Sequence, residues 1–254
     1  MIELNPPLHS VSERTQERFG IVRDTEATYW PNDDVLRAIG HKSLIPIIGP
    51  SAVGKSFIID TLVGMDPRFD KVLSFSTRNP RREDTPETMA CLPWDERHIK
   101  RICNTIEAGD AVQYAFHRQT GDIYGTTLES YPGDYNLLPA LTTSIANLEQ
   151  LPFRSLRTIG LVTSPELWSQ WFAKREIDLA PEDRPKRIAE AANSLTWLLD
   201  HPEVAIINNP AGDAFKTAKK IRSYARKSDT ANIPRDEKAA QDLLAHVTSL
   251  RHDA

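Results

Sequence analysis

The chain has 254 residues, 40% hydrophobic and 26% charged, with a formal net charge of −4. That balance suits one large globular domain, or one with appendages, and no overall basic field argues for a nucleic-acid partner. Two cysteines, Cys91 and Cys103, are too few for a metal cluster or a disulfide framework. No apolar run approaches the roughly 18 residues of a membrane helix. Residues 1–7 lack a basic region followed by an apolar one, so the expectation is a cytoplasmic protein that meets no membrane.

In chain order, residues 1–43 read as an N-terminal extension with breaks at Asn5-Pro6-Pro7 and at Trp30-Pro31. Within it, 19–23 and 27–30 suit short strands or a packed arm, and no chemistry is visible there. The apolar run 45–48 reads as a buried strand that breaks at Gly49-Pro50, followed by a helix over 56–63 that stops at Gly64. A strand over 71–76, expected beside the first, leads into an Arg- and Pro-rich loop. A helix follows over 95–108, with Ile99, Ile102, Cys103 and Ile106 on one face. Strands are expected over 111–116 and 136–141, the latter weakened by Pro139.

A helix over 142–151 and a buried strand over 156–162 come next. Ser164-Pro165-Glu166 opens a helix with a cap and a first-turn proline. A second such opening at Asp183-Arg184-Pro185 leads a helix showing Ile188, Ala191, Leu195, Leu198 and Leu199 on one side. A strand over 204–207, a helix over 213–224, a polar stretch over 226–232 and an amphipathic helix over 234–250 complete the chain. Strands alternating with helices argue for an α/β fold with a parallel sheet and right-handed crossovers.

Between the first strand and its helix lies Gly49-Pro50-Ser51-Ala52-Val53-Gly54-Lys55-Ser56, the G-x-x-x-x-G-K-S pattern of a phosphate-binding loop. Gly49 and Gly54 permit backbone angles that turn successive N–H groups inward around an anion. The helix that starts there points its positive end at the same anion. Lys55 reaches outer phosphates, and the Ser56 hydroxyl suits Mg²⁺. Downstream, Arg78, Arg81 and Arg82 lie within five residues, with Pro80 stiffening the loop; arginine forks hold phosphate by two-point contacts.

Taken with Gly121-Asp122-Ile123-Tyr124-Gly125-Thr126, the ordered motifs resemble the guanylate kinase family of nucleoside monophosphate kinases. That family shows G-P-S-G-x-G-K-S/T, then S-x-T-T-R-x-P-R-x-G-E, then G-N-x-Y-G-T. Here the three appear as Gly49 to Ser56, Ser74 to Asp84 and Gly121 to Thr126. The resemblance covers about residues 45–223 and implies a domain over 44–225, with an acceptor-binding insertion over about 75–130 and a small lid over about 174–187. Residues 226–254 would form a C-terminal linker and helix.

Carried over position by position, the resemblance implies that Gly49, Ser51, Ala52, Val53, Gly54, Lys55 and Ser56 bind ATP, with Ser56 on Mg²⁺. It places Asn208 or Asn209 near adenine. Arg78, Arg81 and Tyr124 would hold the acceptor phosphate, Ser74 would touch the acceptor base, and Asp84, Gly125 and Thr126 complete that side. Lys55, Arg175 and Arg187 would act on the transferring phosphoryl group, which needs positioning and neutralised charge more than covalent help.

Four features depart from the family, among them Met89 near the place of its second phosphate-binding tyrosine and Glu83-Asp84 in place of its Gly-Glu. Ala115 falls where its guanine-binding glutamate stands, and Leu137 to Leu141 carries no acid where it has I-L-D-I-D. The implied activity is an ATP- and Mg²⁺-dependent kinase acting on a small phosphorylated acceptor, GMP or another nucleoside monophosphate. A ribose-phosphate kinase of the same fold and a non-catalytic binding module are the alternatives.

Overall fold

The computed structural model describes residues 11–80, 85–86, 89–117, 121–176, 183–227 and 232–250. Its elements begin with α1 (Glu13–Asp24), α2 (Asp33–Ile39), β1 (Ser43–Ile48), α3 (Lys55–Met65), β2 (Phe69–Lys71), β3 (Phe75–Ser76) and β4 (Ala90–Cys91). There follow α4 (Glu96–Glu107), β5 (Ala111–Phe116), β6 (Ile123–Thr127), β7 (Tyr135–Pro139), α5 (Thr142–Glu149) and β8 (Ser155–Leu156). The rest are β9 (Ile159–Val162), α6 (Pro165–Glu176), α7 (Asp183–Asp200), β10 (Ala205–Asn208), α8 (Ala214–Arg226) and α9 (Glu237–Ser249). They fall into two units, one drawn from Met1–Ser43, Lys71–Asp134 and Asn147–Arg154, the other from Leu44–Asp70, Tyr135–Ala146 and Ser155–Ala254.

The second unit is built on a mostly parallel sheet in the order β10-β9-β1-β7-β2, with β8 also pairing β1. Helices cover it, giving a mixed α/β fold. Every residue of β1 is buried, as expected of a parallel strand covered on both faces. Ile45, Ile47, Ile58, Ile59, Leu62, Leu161, Ile207 and Ile221 share one core cluster, which joins β1 to α3, β9, β10 and α8.

Four sequence expectations need correction in this unit. The strand expected over 156–162 is two strands. Ile47 pairs with Ile159, so the same register sets Thr158 opposite Pro46, which has no N–H to give the ladder. The partner of β1 therefore changes from β8 to β9 at that proline. Gly64 does not stop α3; the helix runs to Met65 and ends at Asp66, held extended before Pro67. The strand expected over 71–76 breaks instead into β2, at the edge of this sheet beyond β7, and β3, which belongs to the other sheet. Neither runs beside β1. The last helix starts only at Glu237, because Pro234 and Asp236 bond both backbone sides of Ile206 and guard the β10 edge.

The first unit carries a four-stranded sheet, β4-β3-β6-β5, backed by α4. Of the two forms expected for the extension, short strands or a packed arm, the strands are not seen: 19–23 falls inside helix α1 and Glu26–Thr28 is a single 3-10 turn, while 33–39 adds a second helix. Helix α1 lies on α4, where Ser12 Oγ and Thr15 Oγ1 donate to Glu96 at 2.9 and 2.8 Å, and Arg18 grips Glu107 and Asn104. Phe19 packs edge-on against Trp94 and Phe116. Helix α4 buries Ile99, Ile102, Cys103 and Ile106, as its spacing predicts, and Asp95 caps it through the His98 amide. No helix among the described residues is long and apolar enough to cross a membrane.

Candidate functional site

The loop after β1 has the backbone its glycines anticipate. Gly49 and Gly54 sit at φ +146° and +91°, and Ala52 between them at +67°. A Cβ on Gly49 would stand 2.3 Å from the Leu161 carbonyl oxygen, and one on Gly54 2.9 Å from Asn209 Nδ2, so neither position admits a side chain. Val53 turns into the core and is fully buried. Ser56 opens the first turn of α3 with its side chain exposed.

Lys55 folds back over the loop. Its Nζ donates to the carbonyls of Gly49 and Pro50 at 2.6 and 3.0 Å. Burial, opposed by the Glu190 carboxylate and reinforced by Arg175, brings its ammonium down to about 8. A cation held in this way gains most from an arriving anion. Arg187 on α7 donates from Nη1 to Ser51 Oγ at 3.3 Å. Lys55 and Arg187 therefore bond to one loop, and the charge of Arg175 acts on Lys55 within the same unit.

The end of the sheet supports the loop from below. Asn209 takes the Val162 carbonyl through its backbone N–H, and its Nδ2 donates to the Val53 carbonyl at 3.1 Å. Thr163 Oγ1 donates to the Asn209 carbonyl. Asn209 is thus a strut of the loop, while Asn208 Oδ1 is buried and has no hydrogen-bond partner among the described residues. Trp168, fully buried on α6, donates its indole N–H to the Ser51 carbonyl at 2.9 Å.

The residues expected to hold an acceptor lie in the first unit. Ala115, Tyr124, Ser76 and Cys91 form one row across β5, β6, β3 and β4, and directly opposed residues share a face. The next row, Tyr114, Gly125, Phe75 and Ala90, faces the core, with Gly125 against the Phe75 ring. Tyr124 is half-buried, its ring 6.4 Å from that of His117. Thr126 is buried with its hydroxyl 2.8 Å from that of Tyr131, a structural use of the group. Arg78 is almost fully buried, its amide on Ser76 Oγ and its Nη1 on the Asn79 carbonyl. Ser74 is half-buried at the mouth of β3, and its carbonyl accepts from Ala90. Arg81 and Asp84 lie outside the described residues, as do 177–182 of the expected lid.

No protein-family model matches this chain, and no curated protein matches it. Among solved structures, guanylate kinase from Anaplasma phagocytophilum is similar at a TM-score of 0.44 and 16% identity, over 74% of this chain and 87% of that one. At that level the likeness decides nothing about activity, which has to be argued from the loop and its cations.

Three features of the loop escape sequence reasoning. Trp168 and Glu190 are far along the chain from residues 49–56 and belong to no motif. The left-handed conformation of Ala52 is the third; an alanine there gives no sign of it, although the resemblance, which has glycine at this position, does.

Proposed function

We propose that this protein is an ATP-dependent phosphotransferase of the guanylate-kinase type, carrying the γ-phosphoryl group to a small phosphorylated acceptor. The observation that carries the reading is the placement of Lys55 and Arg187 on a loop whose backbone conformation suits an anion, with the charge of Arg175 acting on Lys55. Lys55 is a partly desolvated cation whose hydrogen-bond partners among the described residues are two carbonyls, so the donor set fits a triphosphate. Its amine would hold the outer phosphates, and Arg175 and Arg187 would neutralise charge developing on the phosphoryl oxygens. Mg²⁺ would arrive with the nucleotide and supply further charge neutralisation, with Ser56 giving one oxygen ligand. No group of three or more His, Cys, Asp or Glu side chains among the described residues suits a metal of its own. The first unit would supply Arg78 and Tyr124 to the acceptor's phosphate, with Arg81 expected beside them.

A nucleoside monophosphate is the acceptor class favoured by the motifs. Ala115 favours a second reading, a ribose phosphate or another base: a small apolar side chain stands next to Tyr124, where a guanine site needs a carboxylate. A coupled ADP-release assay over nucleoside monophosphates and ribose phosphates tests both. ADP release with one of them, dependent on Mg²⁺ and lost in Lys55→Ala, is expected. Absence of nucleotide binding would overturn the assignment.

A further inference from the structure

The outer face of α8 carries a charge pattern that phosphoryl transfer does not use. From Lys216 to Lys227 the chain holds six cations, Lys216, Lys219, Lys220, Arg222, Arg226 and Lys227, and no acid, in a protein of net charge −4. The inner face of the helix, Thr217, Ala218, Ile221, Tyr224 and Ala225, is buried, so the cations line the outside. Two are partnered: Lys216 with Asp213 at 3.5 Å, and Arg226 with Asp66 at 3.9 Å. Among the described residues Lys220, Arg222 and Lys227 have no carboxylate partner, and Lys219 stands 5.0 Å over the Phe215 ring, itself 55% exposed. Lys219, Arg222, Ser223, Arg226 and Lys227 line a shallow depression of about 280 Å³.

We propose that this face binds single-stranded nucleic acid through its phosphate backbone. The order of the residues selects that partner. Phe215, Lys219, Arg222 and Arg226 recur at helical spacing and form one stripe, which rises roughly 16 Å over its eleven steps. Cations strung out at one per turn fit an extended polyanion, whereas a compact polyphosphate is met by converging groups. The exposed Phe215 ring begins the stripe and offers a stacking platform for a base, the second component of sequence-tolerant single-strand binding. A lipid surface fits less well, because the apolar face of α8 is committed to the core and only Phe215 is left to insert. The summed charge of the chain, which argued against a nucleic-acid partner, hides a one-sided distribution.

Fluorescence anisotropy of the full chain with a labelled, mixed-sequence single-stranded oligonucleotide tests this. With about four phosphates engaged, affinity falls about fiftyfold between about 50 and 200 mM salt. Lys219→Glu with Arg222→Glu, both on the solvent face, costs at least about tenfold in affinity while thermal unfolding and phosphoryl transfer stay as in the wild type. Phe215→Ala weakens binding of the single strand more than of a duplex. The proposal is overturned by any of four results: no binding at low salt, full binding by the charge-reversed variant, displacement by pyrophosphate at matched phosphate concentration, or capture by phosphatidylserine vesicles without oligonucleotide binding.

Discussion

The Trp168 indole N–H donates to the Ser51 carbonyl at 2.9 Å and fixes the middle of the phosphate loop to helix α6. Its ring stacks on Phe172 at 4.6 Å and meets His246 of α9 edge-on, while Ser169 Oγ lies 2.7 Å from His246 Nε2. The loop is thus braced through α6 to the last helix of the chain, and Arg187 bonds the same serine from α7. Trp168→Phe keeps a stacking ring and removes the donor. A neutral hydrogen bond contributes about 0.5–1.5 kcal/mol, so Mg-ATP binding weakens about two- to twelvefold. The KM for acceptor stays unchanged. Nucleotide titration of the variant checks this, and wild-type ATP affinity would remove Trp168 from any positioning role.

Ala52 carries backbone strain in the same loop. An L-residue in the left-handed region costs roughly 1–2 kcal/mol. Glycine relieves that but loosens the unfolded chain by about 0.4–1 kcal/mol. Ala52→Gly should therefore raise stability by about 0.5–1 kcal/mol, read as a higher urea midpoint at unchanged slope. A lower midpoint would mean that the alanine methyl makes a contact worth more than the strain.

How far the sequence carried depended on the range of the interactions. The β1–loop–α3 segment was legible because everything that shapes it, an apolar run, two glycines and a lysine, is local. Helix α4 was legible for the same reason, through Ile99, Ile102, Cys103 and Ile106. Helix α1 was not: it buries little beyond Phe19 and Val22, and is held by Glu96, Asn104 and Glu107 some eighty residues away. The break between β8 and β9 was hidden too, since its cause, Pro46, acts across the sheet. At the candidate site the motif residues were readable, while the brace from Trp168 and the charge of Glu190 depend on tertiary placement.

Asp66 gives the fold an acid-sensitive tie. The Arg68 guanidinium bonds its carboxylate at 2.7 and 2.9 Å, with Arg226 beyond, and holds it down at about 2. A carboxylate lowered by folding from an unfolded value of about 3.9 adds stability above that value and loses it as pH falls through the folded one. The advantage of the wild type over Asp66→Asn should therefore be constant above about pH 4 and vanish towards about pH 2. Denaturant midpoints of both proteins across that window measure it. A difference that persists at pH 2 would assign the stability to packing instead.

In the proposed reaction Lys55 would serve binding at the expense of the empty fold. Burial disfavours its charge, so Lys55→Met should abolish phosphoryl transfer while leaving the melting temperature equal to or above that of the wild type. Calorimetry beside the coupled assay reads both. A clear drop in melting temperature would show that the bonds from Nζ to Gly49 and Pro50 outweigh the cost of the buried charge.

In the proposed reaction the acceptor's identity would turn on Ala115, which lies across from Tyr124 on the row that also holds Ser76. A carboxylate bond to a guanine edge is charge-assisted and contributes about 1.5–3 kcal/mol, roughly ten- to a hundredfold in affinity. With Ala115 and the acid-free strand β7, GMP should be a poor substrate relative to another monophosphate or a ribose phosphate. Ala115→Glu should then raise kcat/KM for GMP at least about tenfold and leave that for AMP unimproved, since adenine offers an acceptor where guanine offers a donor. Arg78→Ala provides the control, raising KM for every phosphorylated acceptor and lowering kcat, with lysine restoring part of the loss. Efficient guanine-selective turnover by the wild type would mean that recognition rests on other side chains of this unit, with His117 and Gln113 the first to replace.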